Sequence, residues 1–140
     1  MSSLGGKAAI AGIGQTEFSK ESGRSELQLA CEAVKAAIDD AGLRPHDIDG
    51  MVTFTMDASE EIEVARSVGI GDLTFFTRVP HGGGAAAGTA VQAAMAVATG
   101  TANAVVCYRA FNERSGFRFG GSTARSSGLT PLWLAPYAPF

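Results

Sequence analysis

Val79-Pro-His-Gly-Gly-Gly-Ala-Ala-Ala-Gly-Thr-Ala-Val-Gln-Ala-Ala-Met-Ala-Val-Ala-Thr99 decides the fold of this chain. It reads as the end of a short strand, a glycine hinge at Gly82–Gly84 and a helix from Ala85 to Thr99. Along the helix only Thr89, Gln92 and Thr99 carry side-chain polar groups. A helix apolar on nearly every face belongs in the middle of a layered α/β domain, buried on all sides. Its small residues, Ala85, Ala86, Ala87, Gly88 and Ala90, allow neighbouring backbones to come close. The hinge glycines supply dihedrals that other residues resist. The first N–H groups of the helix, with the positive end of its dipole, would then face whatever lies over the turn. Many α/β enzymes place a nucleophile or an oxyanion hole at such a turn. Here Ala85, Ala86 and Ala87 stand where a nucleophile would be expected.

Outward from this stretch, the elements alternate. Lys7–Gly14 is a short apolar run expected to form a buried first strand. Gly12 and Gly14 suggest a dinucleotide fingerprint only weakly, since Glu17 occupies the third glycine position and a polar loop follows. A helix is expected over Ser25–Ala41. Leu27, Cys31, Val34, Ile38 and Ala41 make its apolar face, Ser22 or Ser25 its cap, and Gly42 its end. Glu32 and Lys35 offer a surface pair. In His46-Asp47-Ile-Asp49 the aspartates read as turn residues bonding local backbone rather than as metal ligands. Gly50–Thr55 is a second strand and Ile62–Val68 a short helix. Glu60 and Glu61 before it read as a solvated helix start. Phe75–Val79 is a third strand and Asn103–Arg109 a fourth. Strand and helix in alternation predict an α/β fold with a mostly parallel sheet and a buried central helix at 85–99. Two organisational regions are expected: a core over 1–109 and an irregular Gly/Ser/Pro/aromatic segment over 110–140.

Composition narrows the functional classes. With 140 residues and a formal charge of −3, the chain suits one domain and offers no electrostatic reason to bind nucleic acid. No apolar run has transmembrane length, and the first residues lack a signal peptide, so the expected location is the cytoplasm. Cys31 and Cys107 read as buried free thiols. His81, at the mouth of the hinge, is one of two histidines and could act as a base or polarise a substrate oxygen; shaping the turn is the alternative. Tyr108 reads as core and Arg109 as an ion-pair partner. Arg114, Arg118 and Arg125 read as a solvated loop, with phosphates or an acidic partner as the other possibility. Trp133, Tyr137 and Phe140 would be exposed unless covered.

The order of these segments resembles the N-terminal part of the thiolase superfamily, and within it the lipid-transfer-protein or sterol-carrier-type thiolases. The resemblance is carried by Ala9-Ile-Ala-Gly-Ile-Gly-Gln-Thr-Glu-Phe18, Leu27–Gly42, Asp47-Ile-Asp-Gly50, the hinge and helix of 82–99, and Val105-Val-Cys-Tyr-Arg-Ala-Phe-Asn-Glu-Arg-Ser115. It implies a layered fold of which this chain is the first part, with a second half missing. It also implies that Ala85 occupies the position of the acylated cysteine, and a methyl group cannot attack a thioester. A cysteine-free branch of this family is associated with retro-aldol cleavage of β-hydroxyacyl-CoA side chains in steroid degradation. The resemblance therefore implies a carbon–carbon lyase using a CoA thioester as substrate and no further cofactor, with this chain inactive alone. His81 would be catalytic, and Gly82, Gly83 and Gly84 would bind substrate. It further implies a homodimer through Phe75–Val79 and a small OB-fold acyl-CoA-binding partner. The alternative is a non-catalytic acyl-CoA- or lipid-binding scaffold protein.

Overall fold

A computed structural model describes residues 4–54, 59–79 and 84–112. These fall into two compact units, one of 4–18 with 24–111, the other of 19–23 with Asn112. In the second, Ser22 Oγ donates to Asn112 Oδ1 at 3.3 Å. All the regular elements belong to the first.

Helix α1 runs from Glu26 to Asp40. Ser25 caps it, its hydroxyl accepting from the Gln28 N–H at 3.1 Å, so one of the four unpaired donors of the first turn is satisfied. Leu29, Ala30, Val34 and Ile38 are buried; each large side chain among them contributes about 1.5–3 kcal/mol by leaving water. Leu27 and Cys31 pack at the margin. The expected Glu32–Lys35 pair is replaced by Glu32 with Arg24 and Lys35 with Asp39. Strand β1 (Gly50–Phe54) is buried throughout. Helix α2 (Glu61–Val68) ends at Gly69 in the left-handed conformation. Strand β2 is Phe75–Val79, helix α3 is Ala85–Thr99, and strand β3 is Val105–Cys107.

The three strands form one parallel sheet in the order β2-β1-β3. Adjacent residues of a strand point to opposite faces, which assigns the two helical layers. Arg78 bonds Glu61 on α2, whereas Val79 Cγ1 lies 3.2 Å from where a Cβ on Gly88 of α3 would be. So α2 covers one face and α3 the other. Met51, Val106 and Tyr108 join α1 and α2 in the main core. Gly50, Val52, Phe54, Val105 and Cys107 alternate with these residues and so face the α3 side.

Asp49 joins the leading ends of the strands. Its carboxylate accepts from the Asn103 N–H (2.8 Å), the Asn103 side-chain amide (2.7 Å) and the Ala104 N–H (2.9 Å), tying β1 to the approach of β3. Its carbonyl accepts from the Thr74 N–H (2.8 Å) and hydroxyl (3.1 Å), tying β1 to the approach of β2. This is why β3 starts at Val105, two residues after the start of the expected Asn103–Arg109: the amides of 103 and 104 bond a side chain instead of a strand. The reading of local backbone bonding holds for Asp47, which accepts from the Arg44 N–H and guanidinium, and is corrected at Asp49, whose carboxylate bonds Asn103 and Ala104, distant in the chain.

Three expectations are corrected. Lys7–Gly14 is not a strand. Gly12 and Gly14 instead lie against the backbone of α1, where an added Cβ would come within 2.4 Å of the Ala37 carbonyl oxygen and 2.3 Å of that of Ala33. The Ile13 N–H donates to the Asp40 carboxylate, and Ile10 is exposed. The glycines thus serve a close approach to a helix, not a nucleotide. Helix α3 has the expected bounds but is not buried on all sides. Thr89 and Ala96 are buried against the sheet, while Val91 and Met95 are about half exposed (52% and 44%), because among the described residues only one layer covers it. Both cysteines are free, but Cys31 is half-buried and Cys107 exposed, not buried. Among the described residues no helix is long and apolar enough to cross a membrane.

Burial would raise the Asp49 carboxyl, but hydrogen bonds from Ala104 and Asn103 outweigh it and hold the group below its ordinary value of 3.8. The folded pKa is therefore below the unfolded one. The resulting stability is present in full above the unfolded pKa and is lost as pH falls through the folded one. Asp49→Asn turns an amide towards these donors and is expected to cost on the order of 2 kcal/mol at pH 7, read from urea unfolding. The gap to wild type should narrow on acidification below the ordinary carboxylate range; a gap independent of pH would contradict the role of the charge.

Candidate active site

The trailing ends of the parallel strands are where ligands meet an open α/β sheet, and the hinge leaves β2 at that edge. Of the residues expected to form the site, His81, Gly82 and Gly83 lie outside the described residues, as do Arg114, Arg118, Arg125, Trp133, Tyr137 and Phe140. Gly84 precedes α3 with φ −88° and ψ −1°, a conformation open to any residue, so at this position no special glycine dihedral is used. Ala85 is the first residue of α3.

The described residues at this edge carry two arrangements that the sequence did not disclose. On the α2 face, Arg78 makes a two-pronged bond to Glu61, Nε to Oε1 at 2.7 Å and Nη2 to Oε2 at 2.6 Å. Glu60 lies 3.8 Å from the same guanidinium. The reading of Glu60 and Glu61 as a solvated pair is corrected at Glu61, which is buried. An isolated buried carboxylate would be costly, and the planar fork of arginine matches both its oxygens. Burial raises the Glu61 carboxyl, but Arg78 more than offsets this and holds it below its usual value. The pair fixes β2 one residue before its end at Val79. Beside it the buried Tyr108 hydroxyl donates to the Ser59 carbonyl at 3.0 Å, while the buried Ser59 Oγ has no hydrogen-bond partner. Tyr108 is core, as expected.

On the α3 face, Arg109 follows β3 and lies over two rings, 5.2 Å from the centroid of Phe54 and 4.5 Å from that of Phe111. Arg109 thus makes an aromatic contact, which the sequence signals only as two phenylalanines far apart in the chain. Thr89 and Thr99 turn their hydroxyls back to α3 carbonyls, Thr89 to Ala86 at 2.7 Å and Thr99 to Met95 at 2.9 Å. Among the described residues no three His, Cys, Asp or Glu side chains gather as a metal site.

No family model matches the chain. It is 66% identical over 143 aligned positions to a steroid side-chain-cleaving aldolase of Thermomonospora curvata, covering 98% of this chain and 37% of that protein. It is 67% identical over 117 positions to a 17-hydroxy-3-oxo-4-pregnene-20-carboxyl-CoA lyase of Mycobacterium tuberculosis, covering 84% and 30% respectively. This chain is similar to steroid side-chain-cleaving aldolases. Among solved structures, an Ltp2-ChsH2(DUF35) aldolase superposes with a TM-score of 0.81 at 67% identity, covering 98% of this chain and 35% of that one. The chain spans about a third of the length of the curated relatives it matches.

Replacing Arg78 with methionine leaves Glu61 buried without its partner. Its carboxyl should then rise, since burial is the largest remaining influence. The variant should lose about 1–3 kcal/mol at pH 7. Its deficit should shrink as pH falls to roughly 4–5, the ordinary carboxylate range, by which the variant's Glu61 has taken up a proton, and further below it, where wild type loses its own charge-dependent stability. Urea midpoints across that pH range check this; a constant deficit would show that the two charges are not coupled.

Proposed function

We propose that this chain is part of a retro-aldolase that cleaves a carbon–carbon bond in the side chain of a steroid CoA thioester. The observation carrying the proposal is identity of 66–67% with two relatives whose names specify that chemistry, extending over 98% of the chain in the longer match. The thiolase-like layering suggested by the order of segments accords with the parallel sheet and with α3 starting at the trailing edge of β2.

The chemistry suits a site without a cysteine. A base takes the proton of the β-hydroxyl, and the bond between the carbinol carbon and the α-carbon breaks. Its electron pair passes to the thioester as an enolate, which is then protonated at the α-carbon. The products are a ketone and a shortened acyl-CoA, and no covalent enzyme intermediate is needed. Ala85 at the start of α3 is compatible with this route, whereas acyl transfer would require a nucleophile there. His81 is our candidate for the base or for polarising the substrate oxygen, with Gly82, Gly83 and Gly84 admitting substrate to the turn and backbone N–H groups offsetting enolate charge.

Two partners complete the proposal. Strand β2 is an edge of the described sheet and Phe76 is exposed on it, which suits pairing with a second copy through Phe75–Val79. The solved relative is named for two components, which supports a complex with a small acyl-CoA-binding OB-fold protein. Because the chain spans about a third of its relatives, we infer that this span alone does not turn over substrate.

The test is incubation of the protein as expressed from its gene, with any copurifying partner, with 17-hydroxy-3-oxo-4-pregnene-20-carboxyl-CoA. Release of the 17-ketone in equal amount with a three-carbon acyl-CoA is expected. Substrate bound but unchanged would overturn the proposal in favour of a scaffold.

A further inference from the structure

Strand β1 hands the chain to α2 and β2 hands it to α3, and these two helices lie on opposite faces of the sheet. The crossovers therefore part at the trailing ends of β1 and β2, beside Phe54 and Val79, the last pair of their register. This is the position at which open α/β sheets meet their ligands. Among the described residues β2 has a partner strand on one side only, so its end must be steadied by other means. Two side-chain contacts do this, one on each face. On the α2 face the Arg78 guanidinium grips both oxygens of Glu61, at 2.7 and 2.6 Å. On the α3 face Val79 lies against Gly88, where an added Cβ would stand 3.2 Å from Val79 Cγ1. The Gly88 N–H donates to the Gly84 carbonyl at 3.0 Å. The residues on either side of 80–83, Val79 and Gly84, thus both meet Gly88 in the first turn of α3.

Stability alone does not account for the fork. A buried ion pair is often no more stabilising than a well-packed apolar pair of similar volume, because taking charges out of water offsets their attraction. What arginine and a carboxylate add is geometry. Two parallel bonds in one plane fix the strand more narrowly than apolar contact or a lysine point charge would. That precision falls on the penultimate residue of β2 and is anchored on a carboxylate buried in α2.

We propose that the Arg78–Glu61 fork and the Val79–Gly88 contact together set the position of residues 80–84 for the reaction. Arg78 and Glu61 are then positioning residues, acting through the chain rather than on substrate. This rests on the retro-aldolase reading above, which puts the candidate base His81 in that segment.

The test uses the protein as expressed from its gene, with any copurifying partner. It reads kcat and KM for cleavage, the melting temperature, and amide hydrogen exchange in peptides spanning 80–88. Arg78→Met should lower kcat by about 10- to 100-fold, as for a reacting group displaced by about 1 Å, with KM within about twofold of wild type. Arg78→Lys, which keeps the charge without the fork, should fall between. Gly88→Ala, which presses on Val79 from the other face, should lower kcat by about tenfold. The double replacement Glu61→Leu with Arg78→Met should recover the melting temperature, because no unpaired carboxylate is left buried, yet keep the low kcat. Exchange over 80–88 should be faster in Arg78→Met and remain so in the double variant. Recovery of kcat together with the melting temperature in the double variant would make the pair merely structural and overturn the proposal. An unchanged kcat in Arg78→Met, or a loss confined to KM, overturns it as well. If wild type cleaves nothing, the retro-aldolase reading falls and exchange decides this one: faster exchange over 80–88 in both variants upholds the positioning, and unchanged exchange overturns it. Equal cleavage by wild type and every variant overturns only the positioning.

Discussion

Asp49 holds the sheet in register. Parallel strands are joined by long crossovers, so nothing local aligns their ends. Here one residue does so for all three, its carboxylate bonding the approach to β3 and its carbonyl the approach to β2. Thr74 strengthens the knot by donating on to the Thr101 carbonyl at 2.8 Å. With the leading ends fixed, the pairing of Gly50 with both Phe75 and Val105 follows, and every later pair takes its place from these. The arrangement has a steric side as well: a Cβ on Gly50 would come within 2.8 Å of Val105 Cγ2. A side chain there would push β3 away at the point where Asp49 draws it in.

The consequence appears at the other end of the strands. Once register is set, alternation sends Arg78 and Tyr108 to the α1/α2 face and Val79, Phe54 and Arg109 to the α3 face. The first group is closed, since Arg78 meets Glu61 and Tyr108 meets Ser59. The second includes the Arg109 guanidinium over the Phe54 and Phe111 rings. The same sheet thus separates the Arg78–Glu61 and Tyr108–Ser59 contacts from the Arg109 stack.

Local chemistry made much of this legible in the sequence. The Ser25 cap and the apolar spacing of Val34 and Ile38 gave α1 to within a residue, and the runs 75–79 and 85–99 matched β2 and α3. These signals sit within a few residues of what they specify. The errors concern residues distant in sequence. Gly12 and Gly14 resemble strand-end glycines until α1 is found against them. Glu61 reads as solvated until Arg78, seventeen positions later, covers it. The composition of α3 suggested burial on all sides, yet an alanine-rich surface does not show how many layers meet it. Nothing local announces that Arg109 packs over Phe54, fifty-five positions earlier. The residues assigned to the hinge, His81 to Gly83, lie outside those described, and their role rests on the resemblance.

The most direct measurement is a crystal structure of the protein with a bound acyl-CoA. Density for the thioester arm is expected at the trailing ends of the strands on the α3 face, with the acyl group directed towards the start of α3. A ligand at the Asp49 end of the strands, or against the α1/α2 face, would contradict the assignment.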